Sequence, residues 1–139
     1  MNTPGAPGDA AFANLSVLLV EDDSFALKIA QTVLKQLKVP YVNIAKDGAE
    51  ALDILNSNAT KFDLIISDWN MPEMSGLQLL KAVRMKWPDT PLIMLTGKAS
   101  PEFVVQARDN GVDAYVVKPF SPASLGQKIA AVLGARAKK

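Results

Sequence analysis

Val17-Leu18-Leu19-Val20-Glu21-Asp22-Asp23 decides how this chain is read: an unbroken apolar run passes directly into three carboxylates. A strand hydrophobic at every position is covered on both faces, as in a parallel sheet with helices on each side. Four more short runs follow, Tyr41-Val42-Asn43-Ile44, Leu64-Ile65-Ile66, Leu92-Ile93-Met94-Leu95 and Tyr115-Val116-Val117. Only the Tyr41 run is interrupted, by Asn43, which suits an edge strand. Between the runs, apolar residues recur at helical spacing: Ala26, Ile29, Val33 and Leu37, then Leu77, Leu80 and Val83, then Leu125, Ile129, Val132 and Leu133. Ser100-Pro101-Glu102 and Ser121-Pro122 each place a capping hydroxyl before a proline that suits the first helical position. Asn110-Gly111 reads as a helix stop. Strand and helix therefore alternate five times. Right-handed crossovers then give an open, doubly wound α/β fold with a five-stranded parallel sheet and helices on both faces.

Composition narrows the chemistry. The 139 residues predict one domain, and 49% apolar against 21% charged residues is enough to build a core. Fifteen Lys and Arg against fourteen Asp and Glu leave +1, which gives no reason to expect nucleic acid or a membrane surface as partner. The chain has no Cys and no His. Disulfides, thiolate catalysis, imidazole acid–base steps and most zinc sites are thereby excluded. No apolar run approaches the roughly 18 residues of a membrane span. Met1 to Asn14, rich in Pro, Gly and Ala without a basic start, reads as a loose tail rather than an export signal, so the expected compartment is the cytoplasm. The domain is expected over 15–134. Residues 135–139, with Arg136, Lys138 and Lys139, are expected as a basic C-terminal tail at a solvated helix end.

Ligands of such sheets sit outside the carboxyl ends of the strands. Those ends carry Glu21-Asp22-Asp23, Asp68, Thr96 and Lys118-Pro119. Two carboxylates about 4 Å apart repel by ~4 kcal/mol at an effective dielectric near 20, so clustered acids call for a cation or a proton. Oxygen ligands without His or Cys favour a hard ion, here Mg²⁺ with Mn²⁺ as a substitute. The plainer reading is that such acids only cap the next helix, which suits Asp23 with Ser24. A hard cation, one ammonium group (Lys118) and one hydroxyl (Thr96) around Asp68 form a phosphoryl-transfer arrangement, with Asp68 as the nucleophile that forms an acyl phosphate.

The spread constellation Glu21-Asp22, Asp68, Thr96 and Lys118-Pro119 resembles the receiver domains of two-component response regulators, over about Leu15 to Leu133. Ser67-Asp68-Trp69-Asn70-Met71-Pro72-Glu73-Met74-Ser75-Gly76-Leu77 and Gly111-Val112-Asp113-Ala114-Tyr115-Val116-Val117-Lys118-Pro119-Phe120 are similar to segments of the chemotaxis regulators in that family. The resemblance implies the flavodoxin-like receiver fold with strand order 2-1-3-4-5. It implies Asp68 as phosphorylation site and Mg²⁺ held by Asp22, Asp68 and the Asn70 carbonyl, with Glu21 acting through water. It further implies that Lys118 pairs with Asp68 ahead of a cis Pro119. Thr96 and Tyr115 would form the switch that alters the surface of the fourth helix, fifth strand and fifth helix. Asn70 and Lys98 would tune phosphate lifetime. Gly97, where the family more often has Ala, and Lys98, in place of an acid, are departures.

The implied activity is that of a stand-alone switch, not an enzyme. It would take phosphate from a histidine kinase and act on a protein target, with no nucleic acid and no membrane involved. Within that class, chemotaxis-like output competes with a phosphorelay shuttle or sink served by a histidine phosphotransfer protein. A carboxylate- and Mg²⁺-dependent phosphohydrolase of the haloacid dehalogenase type would want an acid where Asn70 stands. A flavodoxin-like cofactor module would find Glu21-Asp22-Asp23 repelling its phosphate.

Overall fold

Three of the uninterrupted apolar runs become strands buried at every position: β1 (Ser16–Val20), β3 (Leu64–Asp68) and β4 (Leu92–Thr96). In a computed structural model, which describes residues 12–57, 60–97 and 99–137, they form the middle of one parallel sheet. Its edges are β2 (Tyr41–Ala45), exposed on alternate residues, and β5 (Ala114–Val117). The strand order is β2-β1-β3-β4-β5. Helices α1 (Ser24–Gln36), α2 (Gly48–Ser57), α3 (Gly76–Lys86), α4 (Pro101–Asp109) and α5 (Pro122–Ala137) supply the crossovers.

Alternation along the strands divides the core in two. Val17, Leu19, Ile66, Ile93 and Leu95 pack with Ala30, Val33 and Leu34 of α1 and with Leu125, Ile129 and Val132 of α5. Leu18, Val20, Ile65, Leu92 and Met94 face the other way, onto Ala51, Leu55, Leu79, Leu80, Val83, Phe103 and Ala107 from α2, α3 and α4.

The helix boundaries follow the sequence signals. Ser100 caps α4 through its hydroxyl, which accepts from the Phe103 N–H at 3.2 Å, and Ser121 accepts in the same way from the Ser124 N–H at 3.0 Å. Gly111, at φ 86°, ends α4: its N–H donates to Arg108 O and the Val112 N–H to Ala107 O, both at 3.0 Å. Helix α1 ends with the same pair of bonds, Lys38 N–H to Lys35 O and Val39 N–H to Leu34 O, but with Lys38 at φ 63°.

One residue of each expected tail is held by the fold. Phe12 is fully buried in the α1/α5 side of the core, and its carbonyl accepts from the Leu15 N–H at 3.2 Å. An aromatic ring so close to a strand start finds enough apolar surface to be ordered with it. At the other end α5 continues through 135–137. Arg136, expected in solvent, sets its Nε 2.8 Å from Asp113 Oδ1. Residues 1–11, Lys138 and Lys139, and also Lys98, lie outside the described residues. Among the described residues, no helix is long and apolar enough to cross a membrane.

Candidate functional site

The site is assembled by four strand ends. The Glu21 N–H donates to Ala45 O at 3.0 Å, extending the β1–β2 pairing one step and fixing the first carboxylate at the carboxyl end of the sheet. Glu21 is buried and Asp22 exposed, while Asp23 turns away to cap α1, accepting from the Ala26 N–H at 2.7 Å. Asp68 is the last residue of β3, opposite Leu95 of β4. The buried Ser67 hydroxyl donates to the Asp68 carbonyl at 3.0 Å. The chain then returns closely: Gly76 N–H donates to Trp69 O at 2.8 Å, and a Cβ on Gly76 would stand 2.6 Å from the Asp68 carbonyl oxygen. Only glycine permits that approach.

Lys118 closes the group. Its N–H donates to Thr96 O at 2.7 Å, tying the β5 end to β4, and the Lys118–Pro119 bond is cis. Its Nζ donates to Asp68 Oδ1 at 2.8 Å and Glu21 Oε1 at 3.2 Å. Carboxylate oxygens of Glu21, Asp22 and Asp68 lie within 4.8 Å of one another.

This crowding shifts protonation. Burial raises the pKa of Glu21, the charge of Asp68 raises it further, and Lys118 opposes both. Asp68 is also raised, by burial first and by Asp22 in addition, against the hydrogen bond and charge of Lys118. Lys118 moves up: burial works against its charge, but the bonds and charges of Asp68 and Glu21 outweigh burial. One ammonium group therefore leaves the cluster short of positive charge. Three oxygen donors of this kind fit a hard divalent cation.

Of the other expected residues, Asn70 is exposed in the β3–α3 connection, two residues beyond Asp68. Thr96 is buried at the end of β4, opposite Val117, and Tyr115 is half-buried opposite Met94. Thr96 and Tyr115 thus share the face of the sheet that α4 covers. The sequence reading did not single out Phe103, whose ring meets both Trp69 and Tyr115 edge to face. The i, i+4 pair Phe103 and Ala107 was the available signal, since both are the buried residues of α4. Nor did it find Asp113, which binds Arg84 Nη2 at 2.6 Å as well as Arg136.

The sequence profile of the response regulator receiver domain family matches residues 17–130. The chain belongs to this family. It is 41% identical over 122 residues to the chemotaxis protein CheY homolog of Campylobacter jejuni, covering 86% of this chain and 93% of that one. Chemotaxis protein CheY1 of Helicobacter pylori is 41% identical over 123 residues, 86% of this chain and 98% of its own. The structure of chemotaxis protein CheY4 from Vibrio cholerae superimposes with a TM-score of 0.77 at 37% identity, covering 86% of this chain and 98% of that one. The flavodoxin-like receiver fold and its 2-1-3-4-5 order are shared with these relatives. Receiver domains are signalling switches of two-component systems rather than classical enzymes, and they bind Mg²⁺ at an acidic pocket, the counterpart of Glu21, Asp22 and Asp68.

Proposed function

We propose that Asp68 accepts a phosphoryl group from the phosphohistidine of a histidine kinase and that the resulting acyl phosphate switches a protein-binding surface. The observation that carries this is the placement of Asp68, buried at a strand end and held at 2.8 Å by Lys118 among two further carboxylates. An Asp68 carboxylate oxygen attacks phosphorus, the donor's P–N bond breaks, and the donor imidazole leaves. Glu21, Asp22 and Asp68, with the Asn70 carbonyl, would hold Mg²⁺, which when bound supplies positive charge against the carboxylate and phosphoryl oxygens. Lys118 moves from pairing the free carboxylate to pairing the phosphoryl oxygens. The Thr96 hydroxyl donates to the same group, and Tyr115 follows it on the shared face. Val105 on α4, two residues beyond Phe103, and Val117 on β5, two residues beyond Tyr115, are both exposed, which supports a protein target on that surface. The named relatives support chemotaxis-like output. Asn70 and Lys98 would set phosphate lifetime, so Lys98→Glu is expected to change the dephosphorylation rate.

Mass spectrometry after treatment with acetyl phosphate and Mg²⁺ tests the assignment. One added phosphoryl group is expected in the wild type and none in Asp68→Asn. Addition that persists in the variant would move the acceptor elsewhere.

A further inference from the structure

We propose that Phe103 is a positioning residue that couples the indole of Trp69, the neighbour of the phosphoacceptor, to the ring of Tyr115 on β5. This deepens the proposed switch and rests on it for its role, though the coupling exists without phosphate. Trp69 and Phe103 lie with ring centroids 4.5 Å apart at an interplanar angle of 83°, and Phe103 and Tyr115 at 5.5 Å and 88°. Both contacts are edge to face, an arrangement held by ring quadrupoles and hence dependent on direction as well as on apolar contact.

The three rings differ in freedom. Phe103 is 5% exposed and sits in the first turn of α4, its N–H held by the Ser100 hydroxyl. Trp69 and Tyr115 are half-buried. The Trp69 backbone is fixed on both sides, its N–H donating to Leu95 O and its carbonyl accepting from the Gly76 N–H, each at 2.8 Å. The indole is then the part of Trp69 left to respond. A rotation of either outer ring changes its edge-to-face geometry with Phe103. A buried, close-packed middle ring passes that change on. Asp68 and β5 are thus joined by a second route beside Thr96, running through α4 itself.

A Tyr41→Phe, Trp87→Phe background labelled with 3-fluorotyrosine leaves Tyr115 as the one fluorine and Trp69 as the one indole. Without metal, Trp69→Leu is expected to change the Tyr115 fluorine populations, and Phe103→Leu is expected to cut that effect about threefold or more. A role in packing alone would lower stability and leave the effect intact. An effect of equal size with and without the Phe103→Leu substitution, or none in either case, overturns the proposal. Phe103→Met repeats the measurement should the Leu variant fail to fold. Beryllium fluoride with Mg²⁺ then separates the two claims. Joint Trp69 and Tyr115 responses in the wild type that become independent in Phe103→Leu support the coupling. Unchanged joint responses in that variant overturn it while leaving the Asp68 assignment standing. No response in any protein, with the metal-free coupling present, counts against the Asp68 assignment instead.

Discussion

Lys118 and Asp68, fifty residues apart in the chain, meet at 2.8 Å between Nζ and Oδ1. The same ammonium group reaches Glu21 at 3.2 Å, so one cation is shared by two buried acids. Breaking a buried pair by removing one partner costs roughly 3–5 kcal/mol, but the Lys118 side chain is 28% exposed, and solvent screening brings the figure down. Lys118→Met should therefore lose about 1–2 kcal/mol in EDTA. Added Mg²⁺ should narrow the gap, since a divalent ion replaces the missing charge. Paired thermal melts measure both quantities, and a deficit indifferent to Mg²⁺ would speak against shared neutralisation.

Acid should help the metal-free protein. Glu21 and Asp68 both have pKa values raised in the folded state. The folded protein then binds protons more tightly than the unfolded chain, so the stabilisation is fully present below the unfolded pKa and is lost as pH rises through the folded one. In EDTA, stability should rise as pH falls from neutrality toward the ordinary carboxylate range. Asp68→Asn should melt higher than wild type at neutral pH, by on the order of 1 kcal/mol for one like-charge contact. That advantage should shrink on acidification. Urea titrations across the pH range give the slope, and a wild type that only weakens with acid would refute the sign.

Much of the fold and of the site is legible in the sequence. Apolar runs located all five strands, because burial on both faces writes itself into consecutive residues, and Asn43 identified β2 as one edge, while the unbroken run of β5 hid the other. Asp68, Glu21, Asp22 and Lys118 were legible as strand-end charges and do converge. Phe12 and Arg136 are not legible as anchored residues because composition is an average. One Phe in a Pro- and Ala-rich stretch is enough to anchor the chain, and Arg136 is held by a residue twenty-three positions away. Phe103 was hidden for a related reason: ring-to-ring geometry depends on tertiary placement that periodicity does not encode.

Asp113 organises the far side of β5. Its carboxylate accepts from Arg84 Nη2 at 2.6 Å, Arg136 Nε at 2.8 Å and the Leu92 N–H at 2.8 Å. Asp113→Ala leaves two largely covered guanidinium groups and a strand amide without that partner. A loss of about 2–3 kcal/mol is expected. Chemical denaturation measures it, and a loss near the few tenths typical of surface pairs would show the cluster to be solvated.

Two glycines beside the site should behave in opposite ways. A Cβ on Gly76 meets Asp68 O at 2.6 Å, Met94 Sδ at 2.7 Å and Trp69 Cα at 2.9 Å, and two of these are backbone atoms. Gly76→Ala should cost about 1–3 kcal/mol and disturb Mg²⁺ binding, because the β3 end must move. A Cβ on Gly97 meets nothing within 4 Å. Gly97→Ala should instead add about 0.4–1 kcal/mol by restricting the unfolded chain. Equal effects at the two positions would contradict the contact geometry.

The matched ends of α1 and α4 offer an internal control on backbone strain. Each closes with the same two carbonyl bonds, but the left-handed position is Lys38 at φ 63° in one and Gly111 at φ 86° in the other. A side chain in that region costs about 1–2 kcal/mol, while glycine carries an entropic penalty of roughly 0.5–1 kcal/mol on folding. Lys38→Gly should accordingly stabilise the protein by about 0.5–1 kcal/mol, since the Lys38 side chain is exposed and removing it opens no cavity. Gly111→Ala should destabilise by a similar or larger amount, because its Cβ also comes within 3.2 Å of Arg84 Nε. Melting temperatures of the two variants should move apart from wild type in opposite directions. If Lys38→Gly lowered the melting temperature, the left-handed turn would have to be stabilised by contacts of the lysine rather than strained by its Cβ.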